Sequence, residues 1–405
     1  MVSITDAWRQ RRRRAGLIVL GALGAFGALA MVGAATLLPV WRGPDVLRIG
    51  VAQPLSGELA AQGADMLNGV TLAVEEINAA GGVRIGGRAV KLAVVPADDR
   101  AEPEAGKAAA RALVAADVLV AVADLNSGVS IAAAPTYAAA GIPQLAISTK
   151  PQFTQLKLPT TLRLVANDDL QARAIAEQTR QLAHGKDGKD GKGYAVLDDG
   201  TPYGEGLADD VVRLLAEQRV TLAARHSSDS RSIDFEPFVA ELRRTRAEVV
   251  VALVSDFQAE ALVRQLVAAG LSQVRLIGSD TLKTDKLLAA GRALQAVYVT
   301  SPILEVGELP AGRAFLERFR ARFRDAPVYG AHYGYDAVHL VADALTRNGT
   351  TDKAKLLDRL KRFDGHAPVT GSMRFGADGE QRYGAVSVYQ LSGGRWLPVM
   401  RSDRW

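Results

Sequence analysis

Small hydroxyl-bearing side chains follow two neighbouring apolar stretches of this chain. Ser127 comes shortly after residues 118–123, and Ser148 and Thr149 come directly after residues 144–147. Both stretches have the length and composition of buried strands. Ligands of open parallel sheets bind outside the carboxyl ends of the strands, where hydroxyls and backbone N–H groups can hold one small anion. Capping of the adjacent helices is an equally open interpretation of these hydroxyls.

An Ala-rich segment separates the two apolar stretches and predicts the helix that positions the hydroxyls. Residues 130–140 carry no charge and suit a helix that ends at Gly141. The same alternation of strands and helices recurs in two blocks, the first opening with Val46–Gln53 and the second covering residues 170–278. This spacing predicts parallel sheets with helices on both faces. The two blocks therefore predict an α/β chain with two similar lobes.

Other parts of the chain predict further helices and a strand-rich tail. Residues 68–78 suit an amphipathic helix, because their apolar side chains recur on one face. In the second block, a short strand is expected over residues 220–223. The C-terminal tail predicts antiparallel strands separated by glycine turns, over residues 371–375, 385–391 and 395–399.

Charge and composition exclude several classes of protein. The chain has 405 residues and a formal net charge of +5, but residues 1–42 alone contain six arginines and one acidic residue. The remainder is close to neutral, so no basic surface for nucleic acid is expected. The sequence contains no cysteine, which excludes disulfides, thiol chemistry and cysteine metal sites.

The N-terminal segment has the pattern of a membrane-targeting sequence. Residues 15–40 carry no charge, and as a helix they would reach about 39 Å, more than the roughly 30 Å of a bilayer core. The basic residues 1–14 are expected in the cytoplasm, which places the chain from Val46 onward outside. We interpret residues 15–40 as a transmembrane anchor. A signal peptide cleaved near residues 32–34 is the alternative.

The sequence contains no recognisable catalytic or metal-binding motif. A nucleophile elbow, a phosphate-binding glycine loop, a dinucleotide fingerprint and a zinc-binding histidine motif are all absent. His332 and His339 are seven residues apart, which is too far for easy chelation by one helix. The glycine-rich residues 185–193 suit a flexible surface loop. We therefore expect a protein that is not an enzyme and that uses no metal or cofactor.

Five stretches of the chain match one known family in order. The most specific is IGVAQPLSGELAAQGADMLNGVTLAVEEINAAGGV at residues 49–83. Further matching stretches are LNSGVSIAAAPTYAAAGIPQLAIST, DDGTPYGEGLADDV, LIGSDTLKTDKL and VTGSMRFGADGEQRYGAVSVYQ, at residues 125–149, 198–211, 276–287 and 369–390. In these stretches the chain resembles the leucine/isoleucine/valine-binding proteins, which are type I periplasmic binding proteins of ABC transporters. The resemblance as a whole extends over essentially all of residues 46–399.

The resemblance implies a fold of two doubly wound, Rossmann-like lobes joined by a three-crossover hinge. The first lobe would comprise residues 46–164 and 301–370. The second would comprise residues 165–300 and 371–405. A ligand would be enclosed between the lobes when they close about the hinge.

The resemblance also implies that the hydroxyl residues bind a ligand carboxylate. Ser127 stands where the family has the serine that meets this carboxylate. Ser148 and Thr149 stand in the loop that supplies a hydroxyl and backbone N–H groups. Such groups bind a carboxylate without burying an unpaired cation.

The second lobe is implied to hold the other end of the ligand. Tyr203 is the aromatic residue of the Y-G-E-G motif, and Asp280 stands where the family has the acid that receives a ligand ammonium. Phe257 lies in a loop that often carries an aromatic residue. Purely structural roles remain open for all three residues. They are packing at a helix start for Tyr203, a cap of the turn at Thr281 for Asp280, and a core position for Phe257. Gln62 replaces an aromatic that often covers the ligand, so side-chain preference stays open.

These features predict an extracytoplasmic solute-binding protein that encloses an amino acid or a related small ligand. The implied partner is the membrane permease of a branched-chain-amino-acid-type ABC importer, with no nucleic acid, metal or cofactor. Because residues 15–40 suggest a tether to the inner membrane, a membrane-anchored receptor that senses the same ligand is the alternative. In both cases only an amphoteric ligand would bridge the lobes and stabilise their closure.

Overall fold

The computed structural model describes residues 44–183 and 193–402. The predicted cytoplasmic segment 1–14, the apolar segment 15–40 and nearly all of the glycine-rich stretch lie outside these residues. Within the described part of the chain, none of the helices is both long enough and apolar enough to span a bilayer. The described residues form an α/β fold built on two large sheets and one small ribbon.

The first sheet is formed by the N-terminal part of the described chain. The elements are β1 (Val46–Gln53), α1 (Ala60–Ala79), β2 (Val83–Ile85), β3 (Arg88–Asp98), α2 (Pro103–Ala115), β4 (Val120–Ala123), α3 (Ser127–Ala139), β5 (Gln144–Ala146), α4 (Gln152–Gln155) and β6 (Thr161–Arg163). Its six strands lie in the order β2-β3-β1-β4-β5-β6. All pairs are parallel except the β2–β3 hairpin. Parallel strands need buried faces, and every residue of β4 is buried.

The second sheet begins with the alternating elements that follow β6. They are α5 (Asp168–Ala183), β7 (Tyr194–Asp198), α6 (Pro202–Glu217), β8 (Leu222–Ser227), α7 (Glu236–Thr245), β9 (Val249–Leu253), α8 (Asp256–Ala268), β10 (Arg275–Gly278), α9 (Asp285–Ala290) and β11 (Ala296–Ser301). Neighbouring strands among them are parallel.

The C-terminal part of the chain adds three helices and four strands. They are α10 (Gly312–Phe323), α11 (Ala331–Asn348), α12 (Lys353–Lys361), β12 (Asp364–Ala367), β13 (Gly371–Arg374), β14 (Ser387–Ser392) and β15 (Arg395–Arg401). Strands β14 and β15 join the second sheet as antiparallel members and complete the order β15-β14-β11-β10-β9-β7-β8. Both large sheets are therefore mixed. Strands β12 and β13 form a separate ribbon.

The second sheet carries a hydrophobic core on each face. Along β9, Val250 and Ala252 pack into the cluster that contains α7 and α8. Val249, Val251 and Leu253 pack into the cluster that contains α5 and α6. Successive strand residues point to opposite faces, so one continuous apolar strand serves both cores. The helices therefore cover both faces of this sheet, as the alternation of the sequence predicts.

Helix α1 begins at Ala60, well before the predicted start at residue 68. Gly63 and Gly69 weaken the helical pattern of the sequence, because glycine disfavours helix interiors. A Cβ at Gly63 would lie 2.0 Å from the Pro54 carbonyl oxygen, and one at Gly69 would lie 1.9 Å from the Ala331 carbonyl oxygen. The two glycines therefore permit close packing of the helix against neighbouring backbone and do not end it.

Two strand predictions also differ from the structure. The strand expected over residues 220–223 is β8, which begins at Leu222 and extends to Ser227. Strand β8 is an edge strand with a largely exposed, polar sequence, so it lacks a strong apolar signal. The predicted tail strand at 371–375 pairs with β12, which was not predicted. The residue boundaries given above for the two lobes remain predictions.

Candidate ligand-binding site

Ser127 begins helix α3 at the carboxyl end of strand β4. The cap position of α3 is Asn126, which makes no side-chain cap hydrogen bond. Ser127 Oγ accepts a hydrogen bond from the Lys150 backbone N–H at 3.2 Å. Ser127, Ser148 and Thr149 are 3%, 2% and 3% exposed, respectively. These three residues form one buried patch of hydroxyls, which we call the hydroxyl surface.

The hydroxyl surface lies next to the start of helix α6. The Lys150 ammonium donates a hydrogen bond to the Pro202 carbonyl oxygen. Gly128 also lies close to Pro202, since a Cβ at this glycine would be 3.3 Å from the proline Cγ. Tyr203 follows Pro202 in the first turn of α6. The loops that follow β4 and β5 of the first sheet, together with helix α6, which follows β7 of the second sheet, thus bring the hydroxyl surface close to Tyr203.

Asp280 follows strand β10 and is only 5% exposed. Its Oδ1 accepts hydrogen bonds from the Tyr203 hydroxyl at 2.5 Å and from Gln171 Nε2 at 3.1 Å. Its Oδ2 accepts one from the Tyr329 hydroxyl at 2.6 Å. Gln171 Nε2 also donates to the Tyr203 hydroxyl oxygen at 2.9 Å. We call these four residues the carboxylate cluster.

Capping does not explain the position of Asp280. Both of its carboxylate oxygens accept hydrogen bonds from side chains. The Thr281 hydroxyl donates to the Val254 carbonyl oxygen at 2.7 Å and lies 2.9 Å from the Ser279 hydroxyl. The carboxylate therefore points into the cluster, and the side-chain hydrogen bonds of the local turn are made by the Ser279 and Thr281 hydroxyls.

The tyrosine hydroxyls of the carboxylate cluster are protonated donors. Burial raises the pKa of Tyr203 and of Tyr329 well above the usual value, and the neighbouring Asp280 charge raises both further. A tyrosine beside a buried carboxylate holds its proton, because its anion would add a second negative charge. Asp280 thus faces neutral donors at physiological pH.

Asp168 connects the hydroxyl surface to the carboxylate cluster. It begins helix α5, and its backbone N–H donates to the Thr149 carbonyl oxygen at 2.8 Å. Burial raises the pKa of its carboxyl from 3.8 to about 8; the Thr149 hydroxyl opposes this rise, and the Asp280 charge adds to it. Asp168 is therefore largely protonated at neutral pH, and a cation beside it would favour its ionised form.

Four buried polar atoms of the site have no hydrogen-bond partner among the residues that the structure describes. They are Ser148 Oγ on the hydroxyl surface, Gln171 Oε1 in the carboxylate cluster and both carboxylate oxygens of Asp168 between them. Buried polar atoms are nearly always hydrogen-bonded in proteins, directly or through water. A small ligand with polar groups at both ends has the chemistry to satisfy atoms on both sides of the site.

Phe257 and Gln62 are not part of these hydrogen-bond networks. Phe257 lies half-buried in the first turn of α8, at the carboxyl end of β9. Gln62 lies half-buried in the first turn of α1, and its Oε1 has no hydrogen-bond partner in the described part of the chain. Contacts of either side chain with a ligand remain predictions.

Comparison with known proteins identifies the family. The sequence profile described as periplasmic binding protein matches residues 46–395, which is most of the chain. The chain belongs to the periplasmic binding protein family. Membership makes it a solute-binding protein and not an enzyme, and it implies an extracytoplasmic location.

Relatives place this periplasmic binding protein among the type I proteins of the Leu/Ile/Val-binding family. It is 28% identical over 381 residues to Leu/Ile/Val-binding protein homolog 1 of Brucella suis, covering 93% of this chain and 95% of that protein. It is 32% identical over 350 residues to an amino acid binding protein of Pseudomonas aeruginosa, covering 84% and 89%. The crystal structure of an ABC transporter substrate-binding protein from Desulfitobacterium hafniense in complex with Leu matches with a TM-score of 0.70 and 27% identity, covering 87% of this chain and 100% of that one.

Three residues of the site in this periplasmic binding protein were not found from the sequence. Asp168 is the first residue of a helix, where acidic residues are common for local electrostatic reasons. Gln171 is an ordinary helical residue. Tyr329 precedes α11 and reaches Asp280 from a distant part of the chain. Asp168 follows β6, which was not predicted as a strand, so its position beyond a strand end gave no signal in the sequence.

Proposed function

We propose that this protein is the extracytoplasmic substrate-binding component of an amino-acid ABC importer. The observation that carries the proposal is the adjacency of two chemically opposite groups, the hydroxyl surface and the carboxylate cluster. Hydroxyls and backbone N–H groups suit a carboxylate, and buried carboxylates suit an ammonium. An α-amino acid carries both groups on one carbon atom, so it matches the site with a short span between its two ends.

The carboxylate of the ligand is proposed to bind the hydroxyl surface. Ser127 Oγ already accepts the Lys150 N–H, which leaves its own proton to donate. Ser148 Oγ is buried and has no partner among the described residues, so a ligand oxygen would complete its hydrogen bonding. The start of α3 adds the positive end of a helix dipole at this position.

The ammonium of the ligand is proposed to bind between Asp280 and Asp168, with the Tyr203 hydroxyl oxygen as a third acceptor. An ammonium has three N–H donors, and these three oxygens come from elements that already contact one another. The ammonium would ionise Asp168, because a nearby cation favours the charged form of a carboxyl. Binding of the ligand near pH 7 should therefore release a proton.

The ligand's side chain is proposed to be apolar. This step is supported by the relatives, one of which carries the name Leu/Ile/Val-binding protein homolog and another of which was crystallised with Leu. Phe257 is our candidate for the residue that contacts this side chain, and Gln62 would lie near it.

Closure and partners follow from the same proposal. The ligand would bridge the lobe of residues 46–164 and 301–370 and the lobe of residues 165–300 and 371–405, and would stabilise their closed arrangement. A permease in the inner membrane would receive the ligand from the closed protein. Residues 15–40 are proposed to tether the protein to that membrane, which fractionation of cells expressing the full chain and a variant lacking residues 1–40 would test.

A thermal-shift screen tests the ligand class directly. The purified protein is heated with a panel of α-amino acids, their amides, aromatic carboxylic acids and alkylamines. A ligand at 100 times its Kd adds about 2.7 kcal/mol to the free energy of unfolding. We expect shifts with apolar α-amino acids and none with amides or amines, which lack the carboxylate. A shift with aromatic acids but no amino acid would contradict the proposal.

A further inference from the structure

Arg163 is the largest side chain among the fully buried residues of the described chain and is 0% exposed. It is the last residue of β6, the edge strand of the first sheet. Arginine is almost never fully buried unless its charge is paired. The partners of this guanidinium therefore indicate why a cation lies at this position.

The guanidinium of Arg163 binds the loop that carries part of the hydroxyl surface. Its Nη1 donates to the Ser148 carbonyl oxygen, and its Nη2 donates to the Lys150 carbonyl oxygen at 2.8 Å. The carbonyl between them, that of Thr149, is held by the Asp168 N–H. All three carbonyls of residues 148–150 are thus bound from within the protein.

This arrangement determines where the loop's N–H groups point. In a trans peptide the carbonyl and the following N–H point in opposite directions. Because the Ser148 carbonyl faces Arg163, the Thr149 N–H faces away from the guanidinium. Arg163 therefore orients a backbone donor toward the side of the loop where the ligand carboxylate is proposed to bind.

Glu380 neutralises Arg163 from a distant part of the chain. Arg163 Nε donates to the two Glu380 carboxylate oxygens at 3.3 and 3.1 Å, and Nη2 donates to Oε1 at 3.1 Å. The Thr154 hydroxyl donates to the same carboxylate. The Glu380 side chain is only 12% exposed, so water screens the pair weakly.

Glu380 lies on the segment that leads from the β12–β13 ribbon into the second sheet. This segment runs along β6, with the Arg163 N–H donating to the Gly379 carbonyl oxygen at 2.9 Å. A Cβ at Gly379 would lie 2.0 Å from the Thr161 carbonyl oxygen, so only glycine allows this approach. Further along, a Cβ at Gly384 would lie 2.7 Å from the backbone nitrogen of Ala166, which follows β6 on the way to α5. Glu380 thus lies where two connections between the sheets run side by side.

We propose that Glu380 is a positioning residue for ligand binding, acting through Arg163 on the loop of residues 148–150. The proposal rests on the proposed function, because it assumes that this loop binds the ligand. The carboxylate of Glu380 fixes the guanidinium, and the guanidinium fixes the carbonyls of the loop. The connecting segment between the sheets and the ligand-binding loop therefore move as one unit.

The test compares Glu380→Gln with Asp378→Asn in the full chain. Glu380→Gln keeps the size of the side chain and removes its charge. Asp378→Asn is the matched control, since Asp378 lies on the same segment and pairs with Arg382 at 2.7 Å while half-exposed. Asp378 Oδ1 also accepts the Glu380 backbone N–H at 3.2 Å, a hydrogen bond that the asparagine oxygen can keep. We expect Glu380→Gln to lower the affinity for the best amino acid of the thermal-shift panel at least tenfold, measured by calorimetry well below the unfolding temperature. Asp378→Asn should stay within twofold of the original protein.

A second measurement separates positioning from a loss of stability. In ¹⁵N-labelled protein without ligand, the amide resonances of Thr149 and Lys150 should move in Glu380→Gln and stay in place in Asp378→Asn. If Glu380→Gln does not fold, Thr154→Val removes only one hydroxyl donor to Glu380 and should change affinity and resonances in the same direction, more weakly. Unchanged affinity and unchanged resonances in these variants would overturn the proposal. If the original protein binds no amino acid, the proposed function fails, and the resonances still test whether Glu380 positions the loop.

Discussion

The hydroxyl surface and the carboxylate cluster are built in different ways. On the hydroxyl surface, backbone groups are held from within the protein by Arg163, by the Asp168 N–H and by Ser127 Oγ. In the carboxylate cluster, side chains from separate elements meet at a single carboxylate, that of Asp280. The proposed donors on the first side are hydroxyls and the Thr149 backbone N–H, whereas one charge dominates the second side.

This difference predicts unequal tolerance to substitution. A backbone N–H survives when a neighbouring side chain changes, so a loss on the hydroxyl surface should be partial. A buried carboxylate has no replacement, and removing one partner of a buried charged hydrogen-bonded pair costs about 2–5 kcal/mol. Loss of the Asp280 carboxylate should therefore weaken binding more than loss of any single hydroxyl of the hydroxyl surface.

Asp280→Ala should have the largest effect. It removes the charge that pairs with the ligand ammonium and also the acceptor of three side-chain hydrogen bonds. We expect a loss of affinity of at least 100-fold, which corresponds to about 2.7 kcal/mol, measured by calorimetry. Asp285→Ala is the control, because Asp285 is an exposed acid at the start of α9 in the same region. Equal affinity in the two variants would remove Asp280 from the site.

Asp168→Asn should have the second-largest effect on binding and an opposite effect on stability. The folded protein binds this proton more tightly than the unfolded chain, since burial raises the pKa of Asp168 from 3.8 to about 8. Its contribution to stability is fully present below pH 4 and is lost as the pH rises to about 8. Asparagine does not titrate, so at pH 8 the variant should be more stable than the original protein, by roughly 1–3 kcal/mol.

Denaturant unfolding at several pH values, with the original protein and Asp168→Asn compared at each, checks the stability effect. The difference between the two proteins should grow from pH 4 to pH 8, and a constant difference would contradict the raised pKa. Calorimetry in two buffers of different ionisation enthalpy checks the binding effect. Ligand binding at pH 7 should release a proton in the original protein and none through this group in the variant, with affinity lowered roughly tenfold, about 1.4 kcal/mol.

Much of the fold could be predicted because its signals are local. Strands such as β4 and β9 are short, apolar and β-branched, and they alternate with helices at a regular spacing. The predictions failed where a long-range contact decides the local structure. Helix α1 tolerates Gly63 and Gly69 because distant backbone packs against them, and no local pattern shows this.

The candidate site shows the same limit more strongly. Ser127 and Asp280 were assigned to the site by resemblance to a family. In the structure, the hydroxyl surface around Ser127 lies next to the carboxylate cluster around Asp280. Tyr329 and Glu380 each act on a residue more than forty positions away, as in the Tyr329 contact with Asp280 across 49 residues. The pKa of Asp168 depends on burial, which composition and spacing do not specify.

Ser127→Ala tests whether the hydroxyl surface tolerates the loss of one side chain. The variant loses one hydroxyl donor to the ligand carboxylate and the acceptor of the Lys150 N–H, and it keeps the Thr149 backbone N–H. A hydrogen bond to a charged group contributes about 1.5–3 kcal/mol, and the remaining donors should limit the loss in calorimetry to about fivefold. Ser130→Ala is the control on the same helix, because the Ser130 hydroxyl donates to the Asn126 carbonyl oxygen at 3.0 Å. It should lower stability by about 1 kcal/mol without changing affinity.

Tyr329→Phe should have the smallest effect on affinity among these substitutions, and it tests the carboxylate cluster without removing its charge. It removes one neutral donor from Asp280 and leaves the charge and the two remaining donors, Tyr203 and Gln171, in place. A hydrogen bond to a charged group contributes about 1.5–3 kcal/mol, but this one joins two parts of the protein and does not reach the ligand. Most of the loss should therefore lower the stability, and affinity should change by roughly threefold. Because Tyr329 precedes α11 and Asp280 follows β10, the lost hydrogen bond joins two distant segments around the site. We therefore expect the change mainly as faster ligand dissociation in stopped-flow measurements. A loss as large as that of Asp280→Ala would mean that the tyrosine, and not the carboxylate, dominates this side of the site.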